Sequence, residues 1–196
     1  VDTPTKASTA QYDFVFSDWD PSVTSVTKDE TYTATFSSNI RSYTVTFYVD
    51  GVQYGESQTV EYGSSASAPS YPEKTGYTFM NWDTDFSNIT SDLNVNAEFS
   101  INTYTITWKN DDGTTLETDT DVPYGTTPVY DGDTPTKAST AQYSYSFAGW
   151  DQEVTAVTGN ATYTATYNQS TRSYTITWQN YDGTTLETDT DVPYTT

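Results

Sequence analysis

The chain has no cysteine and no histidine, a single methionine, and only 7 basic residues against 27 acidic ones, a formal net charge of -20 over 196 residues. Each shortage excludes chemistry. Without His or Cys there is no Ser-His-Asp triad, no thiolate nucleophile and no ordinary zinc, copper, haem or iron–sulfur site, so any metal would be held by oxygen. Lysines and arginines this few, scattered along an acidic chain, cannot form the basic stripe that a phosphate backbone or an anionic membrane surface requires. Nucleic acid is therefore excluded as a partner. No apolar run approaches the roughly 20 residues that cross a bilayer, so no membrane insertion is expected, and no signal-peptide pattern opens the chain. The sequence starts in mid-pattern and reads as a segment whose export signal and wall anchor lie outside it.

Hydrophobic residues make up only 34% of the chain, yet 16% of it is aromatic, with 18 Tyr, 8 Phe and 5 Trp. Disordered acidic chains lack aromatics, so this composition predicts a folded protein. Threonine is the commonest residue, and a Thr- and Tyr-rich chain poor in Met and Leu favours strands over helices. The expected fold class is mainly β, α+β at most.

Internal repetition dominates the sequence. Tyr104-Thr-Ile-Thr-Trp108 returns as Tyr174-Thr-Ile-Thr-Trp178 and, more loosely, as Tyr43-Thr-Val-Thr-Phe47. A second block, Asp2 to Tyr12, recurs as Asp133 to Tyr143, and each copy leads to an aromatic run and a Trp-Asp pair: Trp19-Asp20, Trp82-Asp83 and Trp150-Asp151. Closing strands follow at Thr31–Phe36, Val95–Phe99 and Thr162–Tyr167. The expected organisation is two complete modules, 43–103 and 104–173, flanked by the C-terminal half of one (1–42) and the N-terminal half of another (174–196).

Period two sets the expected core. Tyr104, Ile106 and Trp108 share one strand face while Thr105 and Thr107 share the other, and Tyr43, Val45 and Phe47 repeat the apolar face. Asn110-Asp-Asp-Gly113 and Asn180-Tyr-Asp-Gly183 interrupt the alternation with turn residues, so each module is expected to open with a β-hairpin. Helical signal is poor; Ile89 to Leu93 could form one turn.

The module at 43–99 carries Tyr43-Thr-Val-Thr-Phe47, Val60-Glu-Tyr-Gly63, Pro72-Glu-Lys-Thr-Gly-Tyr-Thr-Phe-Met-Asn-Trp82 and Asn96-Ala-Glu-Phe99. In this it resembles the Listeria-Bacteroides repeat, the family that includes the B repeat of internalin-type surface proteins. The flanking modules look like divergent relatives that keep Val122-Pro-Tyr-Gly125, Pro135-Thr-Lys137 and Gly149-Trp150. The resemblance implies compact β-grasp-like modules in tandem on a bacterial cell surface, acting as a spacer or a modest-affinity adhesion segment. It implies no catalytic residues and no cofactor.

Asp111, Asp112, Glu117, Asp119, Asp121, Asp131 and Asp133 crowd one module and could supply oxygens to calcium, but turn and strand-face positions account for them, and no EF-hand pattern is present. Trp19, Trp82 and Trp150 could stack on sugars; recurring once per module, they read instead as structural core, with Phe79, Phe147 and Trp108. Their Asp partners are expected to tie down a nearby turn. No carboxylate pair is marked for glycoside hydrolysis. Lys6, Lys74 and Lys137 recur at equivalent places, where an exposed lysine is the plain reading and an isopeptide cross-link the sharp one. Asn88 and Asn160 match an N-glycosylation pattern that arises by chance in a Thr-rich chain.

The expected function is a stalk or spacer in an elongated extracellular array, projecting an adhesive or effector domain from a bacterial surface. The second reading is an adhesin module that binds a host glycan or protein at low affinity through avidity. A third is head-to-tail association through the incomplete terminal modules. Arg41 and Arg172, the only arginines, sit at equivalent inter-module joints, and each is expected to bridge to a carboxylate of the adjoining unit.

Overall fold

A computed structural model of the chain describes residues 2–25 and 27–195; the terminal residues of the two expected half-modules, Val1 and Thr196, lie outside the described residues. Among them there is no helix; of Ile89 to Leu93, expected above to allow one turn of helix, residues 89–92 are irregular and Leu93 opens a strand. The irregular backbone is used elsewhere: Ile89 donates to Ser64 O at 2.9 Å and accepts from Gly63 N at 2.7 Å, which pins the loop under the sheet.

The chain forms two compact units, Val1–Ser100 and Ile101–Thr196, each a set of small β modules. The first unit begins with a two-stranded antiparallel ribbon, β1 (Tyr12–Asp20) and β2 (Thr33–Ile40). A five-stranded sheet follows, made of β3 (Ser42–Val49), β4 (Val52–Gln53), β5 (Gln58–Glu61), β6 (Tyr77–Trp82) and β7 (Leu93–Ile101). β3 pairs antiparallel with β4 and β5 on one edge and parallel with β7 on the other, and β6 lies beyond β7. The β3–β4 turn is Asp50-Gly51 with φ of 49° and 79°, the two-residue geometry whose twist matches a hairpin.

The second unit contains a four-stranded sheet in the order β10-β11-β8-β9, with β8 at Thr103–Lys109, β9 at Thr115–Pro123, β10 at Tyr143–Trp150 and β11 at Ala161–Thr171. Its central pair, β8 and β11, is parallel, as β3 and β7 are. Parallel neighbours need a long crossover, usually helical; here it starts as an extended loop, 124–142, and returns through β10. A second hairpin ends the unit, β12 (Ser173–Gln179) with β13 (Thr185–Pro193).

Aromatic spacing and bulges together build the core. Phe147 and Trp150 are three apart and would face opposite ways on a regular strand; a bulge between Phe147 and Gly149, where φ reaches 123°, brings both rings to one face, 5.4 Å apart. Phe16 and Trp19 repeat the bulge and the 5.4 Å contact. The core of the first sheet is Val45, Phe47, Val60, Ala66, Ile89 and Val95, with half-buried Tyr43, Trp82, Phe86 and Leu93 against it. In the second sheet it is Ile106, Trp108, Val157 and Tyr163, with Tyr104, Val122, Tyr130, Trp150 and Val154 around it. Trp108 replaces Phe47, Tyr163 replaces Val95, and Val154 replaces the bulkier Phe86, so the larger strand residues are offset in the loop.

Candidate functional site

Two features stand out from a plain β scaffold: the joints between modules and an aromatic groove in the third module. Each joint is one residue long. Arg41 separates β2 from β3, Asn102 separates β7 from β8, and Arg172 separates β11 from β12. The joint carbonyl always accepts from a tyrosine N–H at the end of the following hairpin or strand: Tyr62 to Arg41 at 2.8 Å, Tyr124 to Asn102 at 2.8 Å and Tyr194 to Arg172 at 2.9 Å. At the two arginine joints the N–H donates backwards, to Gln11 O at 2.9 Å and to Gln142 O at 2.8 Å.

The arginine side chains add a second tie. In the recurring Ser-Thr-Ala-Gln-Tyr segment, the hydroxyl of Thr9 accepts from Tyr12 N at 3.0 Å, and that of Thr140 from Tyr143 N at 2.9 Å. This folds a turn whose Thr and Ala carbonyls point at the joint. Arg41 Nη1 donates to Thr9 O at 3.1 Å and Arg172 Nη1 to Thr140 O at 2.8 Å, while their guanidinium groups lie 5.4 and 5.2 Å from the ring centres of Tyr43 and Tyr174. Those tyrosines, the first core residues of the next module, donate their hydroxyls back to Ala10 O and Ala141 O. One side chain thus holds both neighbours.

The expected carboxylate bridge is corrected by this geometry. Arg41 Nε does lie 3.7 Å from Asp13, but Asp13 is on β1 of the same half-module, and Arg172 makes no ion pair among the described residues because Ser144 occupies the equivalent position. Carbonyl oxygens take the place of carboxylates. The signal was in the sequence, since the Ser-Thr-Ala-Gln-Tyr segment precedes both arginine joints and is missing from the module that ends at Asn102.

Val45, Phe47, Ile106 and Trp108 are fully buried; Tyr43, Phe79, Trp82, Tyr104, Phe147, Trp150 and Trp19 are half-buried. At two of the three Trp-Asp pairs, the Asp holds a strand rather than a turn. Asp83 accepts from the backbone N and the side-chain amide of Asn96, both at 2.8 Å, and Asp151 accepts from Thr164 N at 2.9 Å, stitching the ends of β6 and β10 to the closing strands β7 and β11. The Asn96 bonds hold the Asp83 carboxyl below the usual aspartate range. The recurring lysines are also engaged: Lys74 lies 4.4 Å from the Tyr77 ring centre and 2.8 Å from Asp50, and Lys137 lies 4.8 Å from Tyr145 and pairs with Asp111. Lys6 sits 3.9 Å from the Phe14 ring centre. Each lysine clamps the closing half of its module, and two reach the turn of the opening hairpin.

The acidic crowd in the third module is dispersed. Asp112 caps Thr114 N at 2.8 Å, Asp119 accepts the Trp108 indole N–H at 2.9 Å, and Asp121 sits at a bulge with φ of 57°. Among the described residues no three acidic side chains gather closely enough to hold a metal ion. Glu117 accepts from Gly132 N at 3.0 Å and Asp131 N at 3.2 Å; burial raises its pKa, and the neighbouring Asp119 carboxyl raises it further. Above these groups lies an open groove of about 530 Å3 lined by Trp108, Tyr130, Phe147, Trp150, Pro128 and Pro135 among others. Val154, which stands where Phe86 stands in the preceding module, forms part of its lining.

Fold and joints define a segment of tandem β repeats. Residues 43–103 match the family model of the Listeria-Bacteroides repeat domain. Two proteins of Evansella cellulosilytica are similar over much of the chain. One, named "Putative membrane protein", is 30% identical over 145 residues, covering 69% of this chain and 20% of that protein. The other, "Putative Gly-rich membrane protein", is 28% identical over 125 residues, covering 58% of this chain and 14% of that protein. The chain thus spans a small part of the length of these relatives. Among solved structures, the Streptococcal High Identity Repeats in Tandem (SHIRT) domains 3-4 from a cell surface protein align with 66% of this chain and 99% of theirs, at 20% identity and a TM-score of 0.30.

Proposed function

We propose that this chain is a spacer segment of a bacterial cell-envelope protein, a run of noncatalytic modules that holds an adhesive or effector domain away from the surface. The observation that carries the reading is the one-residue joint. A joint with no slack, its backbone bonded on both sides at Arg41 and Arg172, suits a structure whose reach is set by the number of units. The match of 43–103 to a repeat family and the similarity to proteins named as membrane proteins support the envelope location.

Small-angle scattering at low protein concentration tests it. A compact globule of this length would have a radius of gyration of about 16 Å; the spacer reading expects a clearly larger value and a rod-like profile. Replacing Arg41 and Arg172 with Ala should broaden the distance distribution without unfolding either unit. A compact profile for the native chain would overturn the reading.

A second reading, binding of a glycan or peptide, is favoured by the groove between Tyr130, Phe147 and Trp150. Concave aromatic surfaces with few polar groups are where ligands dock.

A further inference from the structure

The modules at 43–103 and 104–173 are each entered and left through strands that lie side by side. The chain enters the first of them after Arg41 as β3 and leaves it as β7; it enters the next after Asn102 as β8 and leaves it as β11. Both couples are parallel, with Val45↔Leu93, Thr46↔Asn94, Phe47↔Val95 and Tyr48↔Asn96 in one and Ala161↔Ile106, Thr162↔Thr107, Tyr163↔Trp108 and Thr164↔Lys109 in the other. In a parallel couple the start of one strand and the end of its neighbour lie at opposite ends of the ladder. Tension carried by the backbone therefore slides β3 along β7, and β8 along β11, and the evenly spaced bonds of each ladder share the load. An antiparallel couple in the same place would open one bond at a time.

Three features resist the sliding. None of the loaded strands is an edge: β3 lies between β7 and the pair β4 and β5, β7 between β3 and β6, β8 between β9 and β11, and β11 between β8 and β10. Each ladder also runs through a core, where Val45, Phe47 and Val95, or Ile106, Trp108 and Tyr163, are buried, so on that face water cannot replace a strained bond. The third feature sits one position outside each ladder, at the end where the load enters. There Asp92 Oδ1 accepts from Thr44 N at 2.8 Å and Asn160 Oδ1 accepts from Thr105 N at 2.9 Å, adding a rung made by a side chain. Different residue types, in loops of unlike sequence, make the same bond at the same place.

We infer that each of these modules is a load-bearing clamp: tension along the chain is borne in shear by β3 against β7 and by β8 against β11, with Asp92 and Asn160 as locks at the loaded end of each ladder. The biological role rests on the spacer reading, because a segment that holds an adhesive domain away from a surface transmits whatever pull that domain receives. The clamp itself follows from strand direction and does not depend on overall shape. The two therefore fail separately: compact scattering removes the spacer, whereas a module that opens as readily in shear as in peeling removes the clamp.

The test uses the 196-residue chain, which has no cysteine of its own, so that a pair of introduced cysteines can carry the handles of an optical trap. Ser42→Cys with Ser100→Cys pulls from the start of β3 to the end of β7, as the backbone does. Ser42→Cys with Ser91→Cys pulls at the starts of both strands and peels them apart; all three serines are exposed. Forced unfolding reads the barrier along the pulled direction, and the first pair should need a several-fold higher force at the same loading rate. Added to that pair, Asp92→Ala should lower the force while leaving the urea midpoint of the chain nearly unchanged, since water replaces an exposed acceptor. Asn160→Ala, in the module that is not pulled, should leave the force unaltered. Equal forces in the two directions overturn the clamp, and an Asp92→Ala force no lower than that of Asn160→Ala overturns the locks.

Discussion

The hairpins β8–β9 and β12–β13 are a controlled experiment within one chain. From Asp112 to Tyr124 and from Asp182 to Tyr194 the two sequences are identical. The backbone is the same in both: the ladders break between Tyr104 and Ile106 and between Tyr174 and Ile176, Asp121 and Asp191 have φ of 57° and 56°, and Trp108 and Trp178 each donate to an Asp at 2.9 Å. Local sequence is therefore sufficient for register, bulge and turn. Burial is a separate matter, supplied by β11 and by the loops that carry Tyr130, Val154 and Val157. A hairpin alone is only marginally stable in water, so the covered copy should hold most of the free energy.

The sharpest way to break that comparison is to truncate the same residue in both copies. Trp108→Ala empties a buried site against Tyr130, Trp150 and Tyr163, and should cost about 3–5 kcal/mol. Trp178→Ala, at a position 56% exposed, should cost no more than about 0.5 kcal/mol in the monomer. Native-state hydrogen exchange at the amides of β8 and β12 would separate the two. Similar losses in both copies would mean that the hairpin, rather than its cover, carries the stability.

Much of this was legible from residues alone. The alternation in Tyr104-Thr-Ile-Thr-Trp108 identified the core face, because Ile106 and Trp108 are buried on a strand with one covered side. Pairing partners were harder to read, since whether β8 meets a parallel neighbour depends on residues more than 50 positions away. Bulges were hidden for a different reason: the spacing of Phe147 and Trp150 breaks period two, and only an inserted residue reconciles it. At the joints, the positions of Arg41 and Arg172 were plain, but a guanidinium in an acidic chain was assigned to carboxylates. It meets carbonyls because the turn at Thr9 and Thr140 brings them nearer. The aromatic groove left no signal of its own, for its lining comes mainly from β8, β10 and the loop between β9 and β10, which only the fold brings together.

The indole hydrogen bond sharpens the comparison on a smaller scale. Asp119→Ala leaves the part-buried Trp108 N–H without its acceptor and should cost about 1–3 kcal/mol, less whatever is regained when Glu117 loses a like-charged neighbour. Asp189→Ala removes the same bond in the open hairpin, where water replaces the acceptor, and should change stability by no more than about 0.5 kcal/mol. Urea denaturation of the two variants, each against the native chain, reads the difference. Equal costs would show that solvent does not compete for Trp178.

The smallest effect is one of pH. Burial, reinforced by Asp119, raises the Glu117 carboxyl above its ordinary value, so the folded chain favours its protonated form more than the unfolded chain does. The contribution of this group is then fully present below the unfolded carboxylate pKa, about 4.3, and is lost as pH rises through the higher folded value. Asp83 and Asp112 run the other way: hydrogen bonds from Asn96 and Thr114 lower them, and their contribution is lost on acidification. A difference measurement isolates Glu117. Glu117→Gln keeps an oxygen for the N–H groups of Asp131 and Gly132 and carries no charge, so its stability relative to the native chain should rise as pH increases from about 4 and level off near neutrality. Glu187→Gln, in the exposed copy of the same hairpin, is the control. If Glu117→Gln tracked the native chain at every pH, the loop over β9 would not be desolvating that carboxylate, and the cover that distinguishes the two hairpins would end at the aromatic rings.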